Sequence, residues 1–135
     1  MSVLKNKEYV FLRSDDSLNI YPNNRPHHFT THLNSPLLLS EGCKVGLVEF
    51  YSPQKHSSEL CIQSSICYES SLSASATPVM RIIYPGAKTF MQFNPIYYIP
   101  LRYTEIKDVE IYITDRDGKA CSFLNEPVSL TLCFK

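Results

Sequence analysis

Four histidines are the side chains in this sequence with the clearest capacity to bind a metal ion. His27, His28 and His32 lie in the segment HHFTTH, and His56 follows separately. On an extended strand, neighbouring residues point to opposite faces, and residues four apart on one face are separated by about 13 Å. His28 and His32 therefore cannot bind one ion together, and a zinc site would need a cysteine from elsewhere. We expect ordinary strand and turn histidines and no metal site.

Paired acidic residues are the second group that could do chemistry. Asp115, Asp117 and Gly118 begin like a calcium-binding loop, but the later ligands and the closing glutamate of such a loop are missing. Asp15 and Asp16 stand next to serines in SDDS, a composition typical of turns in which the side chains cap the backbone. The pattern therefore predicts turns at both places rather than a cation site or a pair of catalytic carboxylates.

The cysteines are odd in number and show no CxxC spacing. They are Cys43, Cys61, Cys67, Cys121 and Cys133. The first residues, MSVLKNKEYVF, contain no apolar core of a signal peptide. We expect reduced thiols in an intracellular protein, most of them small buried hydrophobic side chains. On one strand Cys61 and Cys67 would lie about 20 Å apart, too far to pair.

Composition argues against several classes of function. The chain has four glycines and no phosphate-binding or nucleophile-elbow motif, so we expect no enzyme activity and no cofactor. Thirteen basic residues balance thirteen acidic ones, which gives no field that would favour specific nucleic-acid binding. No apolar run approaches the roughly 20 residues of a membrane-spanning helix, so we expect no membrane partner.

Hydrophobic alternation predicts an all-β chain folded as one domain over residues 1–135. Proline, tyrosine and β-branched residues recur throughout, and no stretch carries a helical pattern over three turns. The predicted strands are Tyr9 to Arg13, Ser17 to Tyr21, His28 to Leu33, Lys44 to Tyr51, Leu60 to Tyr68, Val79 to Tyr84, Val109 to Thr114 and Val128 to Phe134. Eight strands fit a β-sandwich.

Two connecting segments bear on the topology. A serine-rich stretch near 69–78 is small and polar enough to predict a mobile loop. The stretch TFMQFNPIYYIPLRYTEI is aromatic but broken by Pro95 and Pro100, which predicts a long buried crossing between the sheets. Such a crossing favours a Greek key or jelly roll over a simple meander. An immunoglobulin-like sandwich lacks its Cys and Trp signature, since the chain has no tryptophan.

Two stretches at opposite ends of the chain carry a family resemblance. The first is YVFLRSDDSLNIYPNNRPHHFTTHLNSPLLLSEGCKVGLVEFYSP, and the second is YIPLRYTEIKDVEIYITDRDGKACSFLNEPVSLTLCFK. Together they resemble the signatures of the penton-like minor capsid proteins of Polinton (Maverick) elements and adintovirus-like viruses. In the second stretch, Val109 to Asp115, Gly118, Ser122-Phe123 and Val128 to Lys135 take the places of the family's strand, turn and final strand.

The resemblance implies a single jelly roll in which the first and last strands are neighbours. Tyr9 to Arg13 would then pair with Val128 to Phe134, whose alternate apolar residues would face the second sheet. It also implies a minor capsid protein of the virion that forms a cyclic homo-oligomer, a pentamer, beside the major capsid protein of the same virus. The candidate subunit interface comprises the aromatic residues of the Tyr-rich segment and of KVGLVEFYSP: Phe50, Tyr51, Phe93, Tyr97, Tyr98 and Tyr103.

Two other functions remain open at this stage. One is a small β-sandwich module, derived from a viral gene, that binds a protein or a ligand through loops at the end of the sandwich. The other is a sandwich that stacks single-stranded nucleic acid on its aromatic residues, although such sites usually lie in basic grooves.

Overall fold

The chain forms a β-sandwich in a computed structural model that describes residues 7–56, 58–68, 78–121 and 126–135. Its nine strands are β1 (Glu8–Arg13), β2 (His28–Leu38), β3 (Lys44–Tyr51), β4 (Leu60–Gln63), β5 (Val79–Ile83), β6 (Phe90–Gln92), β7 (Tyr98–Pro100), β8 (Glu105–Thr114) and β9 (Ser129–Phe134). The described residues contain no helix. The expected all-β class is thereby confirmed.

The strands form two antiparallel sheets. One, here named the β9 sheet, has the order β1-β9-β3-β6, and β7 pairs with the other end of β3. The other, named the β8 sheet, has the order β2-β8-β4-β5. Consecutive strands are mostly not neighbours, so the chain passes repeatedly between the sheets.

The core lies between the two sheets and follows the alternation of the strands. In β9, Leu130, Leu132 and Phe134 point inward, and in β8 Val109, Ile111 and Ile113 do the same; each is at most 1% exposed. Full burial of one such side chain stabilises the fold by about 1.5–3 kcal/mol. The period of two in these strands therefore selects which face of each sheet is covered.

The first and last strands pair with each other, as the resemblance implied. Tyr9 pairs with Cys133 and Arg13 with Ser129 in an antiparallel ladder. The pairing continues past β1, where the Ser14 amide donates to the Val128 carbonyl at 2.9 Å. Ser14 Oγ accepts from the Val128 amide at 3.0 Å, so both groups of this buried pair are satisfied. The last strand is thus fixed by β1 on one side and β3 on the other.

The predicted strand over Ser17 to Tyr21 is wrong, because these residues form a turn. The amides of Ile20 and Tyr21 donate to the Ser17 carbonyl at 3.1 and 2.7 Å. Ser17 Oγ accepts from the His32 amide at 2.9 Å and fastens the turn to β2. Only Leu18 and Ile20 alternated in this segment, and both remain more than 40% exposed. An alternation of only two apolar residues, with no neighbouring strand to pair with, is too weak to form a strand.

The proline-broken segment differs from the expected buried crossing. It supplies β6 and β7, two three-residue strands that pair with opposite ends of β3 at one side of the β9 sheet. A cis Asn94-Pro95 bond lies between them. β7 ends at Pro100, which has no amide hydrogen to donate. None is needed, because no other described strand pairs with β7 on its far side. The chain crosses to the β8 sheet only after these strands.

Several strand bounds also differ from the prediction. The predicted strand Leu60 to Tyr68 ends at Gln63, and β2 and β8 are longer than expected. A register shift between His32 and Leu37 divides the long β2. The serine-rich stretch near 69–78 falls outside the described residues except for Pro78.

A candidate subunit interface on the outer face of the β9 sheet

Aromatic side chains stand on the outer face of the β9 sheet. Tyr9 and Phe11 project from β1, and Tyr51 and Phe90, which pair across β3 and β6, project from the other side. They are 55%, 59%, 42% and 50% exposed, respectively. We name these four side chains the aromatic face. Isolated exposed hydrophobic residues are ordinary, but four on one sheet face form a patch.

The middle of this face carries small and polar side chains. On β9, Thr131 lies between Phe11 and Glu49, and Ser129 lies between Arg13 and Tyr51. Thr131 Oγ1 donates to a Glu49 carboxylate oxygen at 2.9 Å. A shallow trough of small side chains along β9 therefore separates Tyr9 and Phe11 from Tyr51 and Phe90, with Arg13 and Glu49 also on its sides, and the Glu49 carboxylate already has a hydrogen-bond partner.

One end of the trough is closed by Tyr98. Its hydroxyl donates to Cys133 Sγ at 3.5 Å, and its ring lies 5.2 Å from Lys135 Nζ. Cys133 points to the outer face but is fully buried beneath Tyr98. The hydrogen bond to Cys133, together with burial, raises the pKa of Tyr98 to about 12. The Tyr98 hydroxyl therefore stays protonated at neutral pH and covers Cys133, with the Lys135 ammonium beside its ring.

Glycine at position 46 allows residues 96–98 to cover this end of the sheet. A Cβ there would contact Ile96 Cγ2 and lie 2.9 Å from the Tyr97 carbonyl oxygen. Such a separation is closer than real Cβ atoms approach a backbone atom. Gly46 pairs with both Cys133 and Tyr98, so the absence of a side chain lets residues 96–98 lie directly on β3.

The predicted interface residues do not form one surface. Tyr51, Tyr97 and Tyr103 are 42%, 52% and 49% exposed, and Tyr98 is half-buried. Tyr51 belongs to the aromatic face, and Tyr97 adjoins the covered end. Tyr103 lies in the connection between β7 and β8, beyond the Cys67–Leu101 bridge.

Phe50 and Phe93 are buried within the chain, which corrects the prediction that they lie at the surface. A register shift between Leu47 and Glu49 leaves Val48 as an extra residue in β3. Alternation beyond this bulge is reversed, so Phe50 joins Leu47 in the core. The Val48 carbonyl accepts from the Phe93 amide at 2.9 Å, and Arg81 lies 4.3 Å above the Phe93 ring.

Sequence reasoning missed Tyr9, Phe11 and Phe90 as surface residues. The signal for the first two was visible, because Tyr9 and Phe11 alternate with Val10 and Leu12 in a strand that is apolar on both faces. Only one face of an outer sheet can point into a two-layer core. Phe90 could not be found in this way, because β6 has only three residues.

The opposite surface of the sandwich, on the β8 sheet, is polar. His28 Nε2 lies 2.9 Å from Glu110 Oε2, and His32 Nδ1 lies 2.9 Å from Asp108 Oδ1. Tyr21 donates to the same Asp108 oxygen at 2.7 Å. Burial raises the pKa of Asp108, but the hydrogen bonds from Tyr21 and His32 and the nearby positive charges outweigh it, so the pKa is lowered.

His28 and His32 thus pair with carboxylates of β8 rather than with one another. Within the described ranges, no three or more His, Cys, Asp or Glu side chains are grouped so that they could hold a metal ion. Beside His28 lies a cleft of about 310 Å³, bounded by the turn after β1 and by β2. Its lining includes Ile20, Pro22 and Asn24. Asn24 is engaged there, since its side chain bonds both backbone groups of Thr30.

The cysteines are all free thiols. Three are buried, and the half-buried Cys43 and Cys121 pack against the core, which agrees with the predicted role as small hydrophobic side chains. Burial raises the pKa of Cys67 to about 12, and burial with nearby negative charge raises that of Cys121 to about 11. Cys61 lies on β4, whereas Cys67 lies beyond its end.

The Asp115 segment is a turn, as predicted. Asp115 Oδ1 accepts from the amides of Asp117 and Lys119 at 2.8 and 3.0 Å. Gly118 has a φ of 83°, a conformation that favours glycine. The carboxylate is therefore used to hold the backbone.

The chain matches neither a protein-family model nor a curated protein. No helix among the described residues has the length and apolar character needed to cross a membrane.

Proposed function

We propose that this protein is a structural, non-enzymatic capsid protein: a single jelly roll that assembles into a pentameric ring at a virion vertex. The family resemblance of both chain ends motivates the capsid role and the ring number. The strand order supports the jelly roll, and the aromatic face is the observation that carries the assembly.

The strand order fits a jelly roll in the following way. Such a fold is a long antiparallel ribbon that pairs strand one with eight, two with seven, three with six and four with five, and wraps into two sheets. Here β1 pairs with β9, β2 with β8, and β4 with β5. The short β6 and β7 both pair with β3 and together take the sixth position.

The aromatic face has the size expected of part of a protein interface. A fully buried aromatic side chain removes about 150–250 Å² from water, so four that are half exposed leave about 300–500 Å². A stable interface buries about 800 Å² on each partner, of which aromatic residues form the centre. In a cyclic ring each subunit presents two different patches, one to each neighbour. The aromatic face supplies one of them.

The ring would form inside the host cell and become part of the virion shell. The neighbouring molecules would be further copies of the chain within the ring and the major capsid protein of the same virus around it. Neither role needs a cofactor, a membrane or a specific nucleic acid.

Absolute mass in solution tests the proposal. Light scattering coupled to size exclusion, across a dilution series, should give about five times the 15.5 kDa of one chain. Tyr51→Lys should lower this mass, since it introduces a charge into the aromatic face. Tyr84→Lys is the matched control: Tyr84 is 70% exposed but follows β5 in the other sheet. A single-chain mass at every concentration, or equal effects of the two variants, would contradict the ring.

A monomeric binding module is the second candidate, and the cleft beside His28 favours it. Its volume of about 310 Å³ is at the lower end of ligand-binding pockets, which span about 300–1,000 Å³. A stable monomer whose His28 and Asn24 resonances shift selectively on addition of a small ligand would support this function over the ring.

A further inference from the structure

The strand order leaves β1 at the edge of the β9 sheet, with no other described strand on its far side. The direction of its backbone groups follows from the ladder. Because the Ser14 amide donates to Val128, and hydrogen bonding alternates along an antiparallel strand, Val10 and Leu12 also face β9. The amides and carbonyls of Tyr9 and Phe11 consequently point away from the sheet.

This edge carries few of the features that usually prevent pairing. The segment EYVFLR contains no proline, its charged residues Glu8 and Arg13 stand only at its two ends, and its pairing with β9 shows no register shift. Its side chains on the outer face, Tyr9 and Phe11, are both more than half exposed. Native proteins normally protect such an edge with charge, proline or a bulge. The Arg13 carbonyl is the exception, since it accepts from Asp16 at 3.1 Å.

We infer that β1 pairs with β1 of a second copy of this chain, in an antiparallel two-fold contact centred on Phe11. Residues that face each other across two strands must lie on the same side of the joined sheet. Phe11 then faces Phe11 of the second copy, and Tyr9 faces its Arg13. The outward amides and carbonyls of Phe11 pair with their counterparts, and each Arg13 amide meets a Tyr9 carbonyl.

Charge selects this register. It brings Lys7 of one copy towards Asp15 of the other, at both ends of the contact. Two neighbouring registers also keep the faces matched. A displacement by two residues in one direction brings Lys7 towards Arg13, a like charge, and in the other direction it brings Lys7 towards Ser17 and loses the attraction to Asp15. Arg13 already bonds Asp15 at 2.8 Å, so Lys7 would join an existing ion pair at the strand end. Like charges opposite one another destabilise a strand pair, and opposite charges stabilise it.

This contact is made by the backbone edge of β1, whereas the ring contact is made by side chains on the outer face, Tyr9 and Phe11 among them. A two-fold contact uses the same patch on both copies and cannot close a five-membered ring. It joins two chains or two rings, and since a single strand pair buries less than a standard interface it should form at higher concentration than the ring. In a dilution series it would appear as mass above that of the ring at the concentrated end.

Disulfide trapping tests the contact. In a background with Cys43 and Cys121 changed to serine, Phe11→Cys should give a covalent dimer on mild oxidation. The two thiols would stand on Cα atoms about 5.5 Å apart, within the range of a disulfide. Tyr9→Cys, at a position of nearly equal exposure, is the control. In the proposed register position 9 of one copy faces position 13 of the other, so the two thiols at position 9 would lie four residues apart along the strand, about 13 Å. Cross-linking should therefore be at least about ten times slower.

Charge reversal tests the register. Lys7→Asp should slow trapping at Phe11→Cys, and adding Asp15→Lys should restore the rate. Equal trapping at positions 9 and 11, or no dimer at either, would overturn the contact. The ring is judged separately, from the mass of the chain that keeps Tyr9 and Phe11, because both belong to the aromatic face. Efficient trapping at position 11 together with a single-chain mass of that unsubstituted chain would uphold the contact and contradict the ring.

Discussion

Gly46→Ala is the substitution whose effect the structure specifies most sharply. The added Cβ would contact the Ile96 side chain and stand 2.9 Å from the Tyr97 carbonyl oxygen. Ordinary van der Waals contact begins at about 3.4 Å, so the backbone of residues 96–98 must move by about half an ångström or more. Because β3 is held between β9 and β7, the short β7 is the strand that yields.

The loss of stability has two sources: overpacking at position 46, and the loss of the contacts that Tyr98 makes over Cys133. Inserting one carbon into a packed site typically costs about 1–3 kcal/mol. Displacement of Tyr98 also breaks its 3.5 Å hydrogen bond to Cys133, worth about 1 kcal/mol. We expect the free energy of unfolding to fall by about 2–4 kcal/mol. Cys133, fully buried in the native chain, should then become accessible from the outer face.

Urea denaturation measures the first effect and labelling of native Cys133 by a thiol reagent measures the second. Gly42→Ala is the control, since a Cβ there meets nothing within 4 Å while its φ of +85 still strains an alanine. The control should cost about 1–2 kcal/mol through the backbone alone and leave Cys133 protected. If Gly46→Ala lost less than about 0.5 kcal/mol, the smallest effect that exceeds an ordinary surface substitution, the tight apposition of β7 on β3 would be refuted.

Three further perturbations have defined outcomes. Thr31→Val should raise the free energy of unfolding by about 1–2 kcal/mol in urea denaturation, because the buried Thr31 hydroxyl has no hydrogen-bond partner among the described residues; a loss of stability would contradict this. The lowered pKa of Asp108 gives stability that is present above the carboxyl's unfolded pKa, near 4, and lost as the pH falls through the lower folded pKa. Tyr21→Phe removes one hydrogen bond that lowers it, so the difference in stability between pH 7 and pH 2 should shrink; an unchanged difference would refute that role. At pH 8 the native Cys67 thiol should resist alkylation, since its pKa is about 12, and labelling at the rate of the unfolded chain would refute its burial.

Much of the sandwich could be predicted because long strands carry their own signal. In β9 and β8, apolar residues alternate over three or more positions, and the structure buries those residues. The pairing of β1 with β9 followed from the resemblance, not from alternation alone. Lys44–Tyr51 was predicted with the observed bounds, because Gly42 and the residues after Tyr51 mark both ends.

The candidate interface was less predictable, for reasons that are local to β3. Simple alternation along KVGLVEFY would place Phe50 and Leu47 on opposite faces of the sheet. The bulge at Val48 reverses the faces from that point on, so both point into the core. A bulge depends on the pairing of both neighbouring strands, which one strand's sequence does not contain. Burial of Cys133 likewise depends on the close approach of residues 96–98 to Gly46, a tertiary contact between distant parts of the chain.

Imaging of the purified protein by electron cryo-microscopy tests the central claim most directly. Class averages at a concentration where the mass is constant should show closed rings with five-fold symmetry, each subunit presenting its β9 sheet to a neighbour. Tyr51→Lys should abolish the rings and Tyr84→Lys should retain them. Rings of another symmetry, or isolated single chains at every concentration, would contradict a pentameric vertex protein.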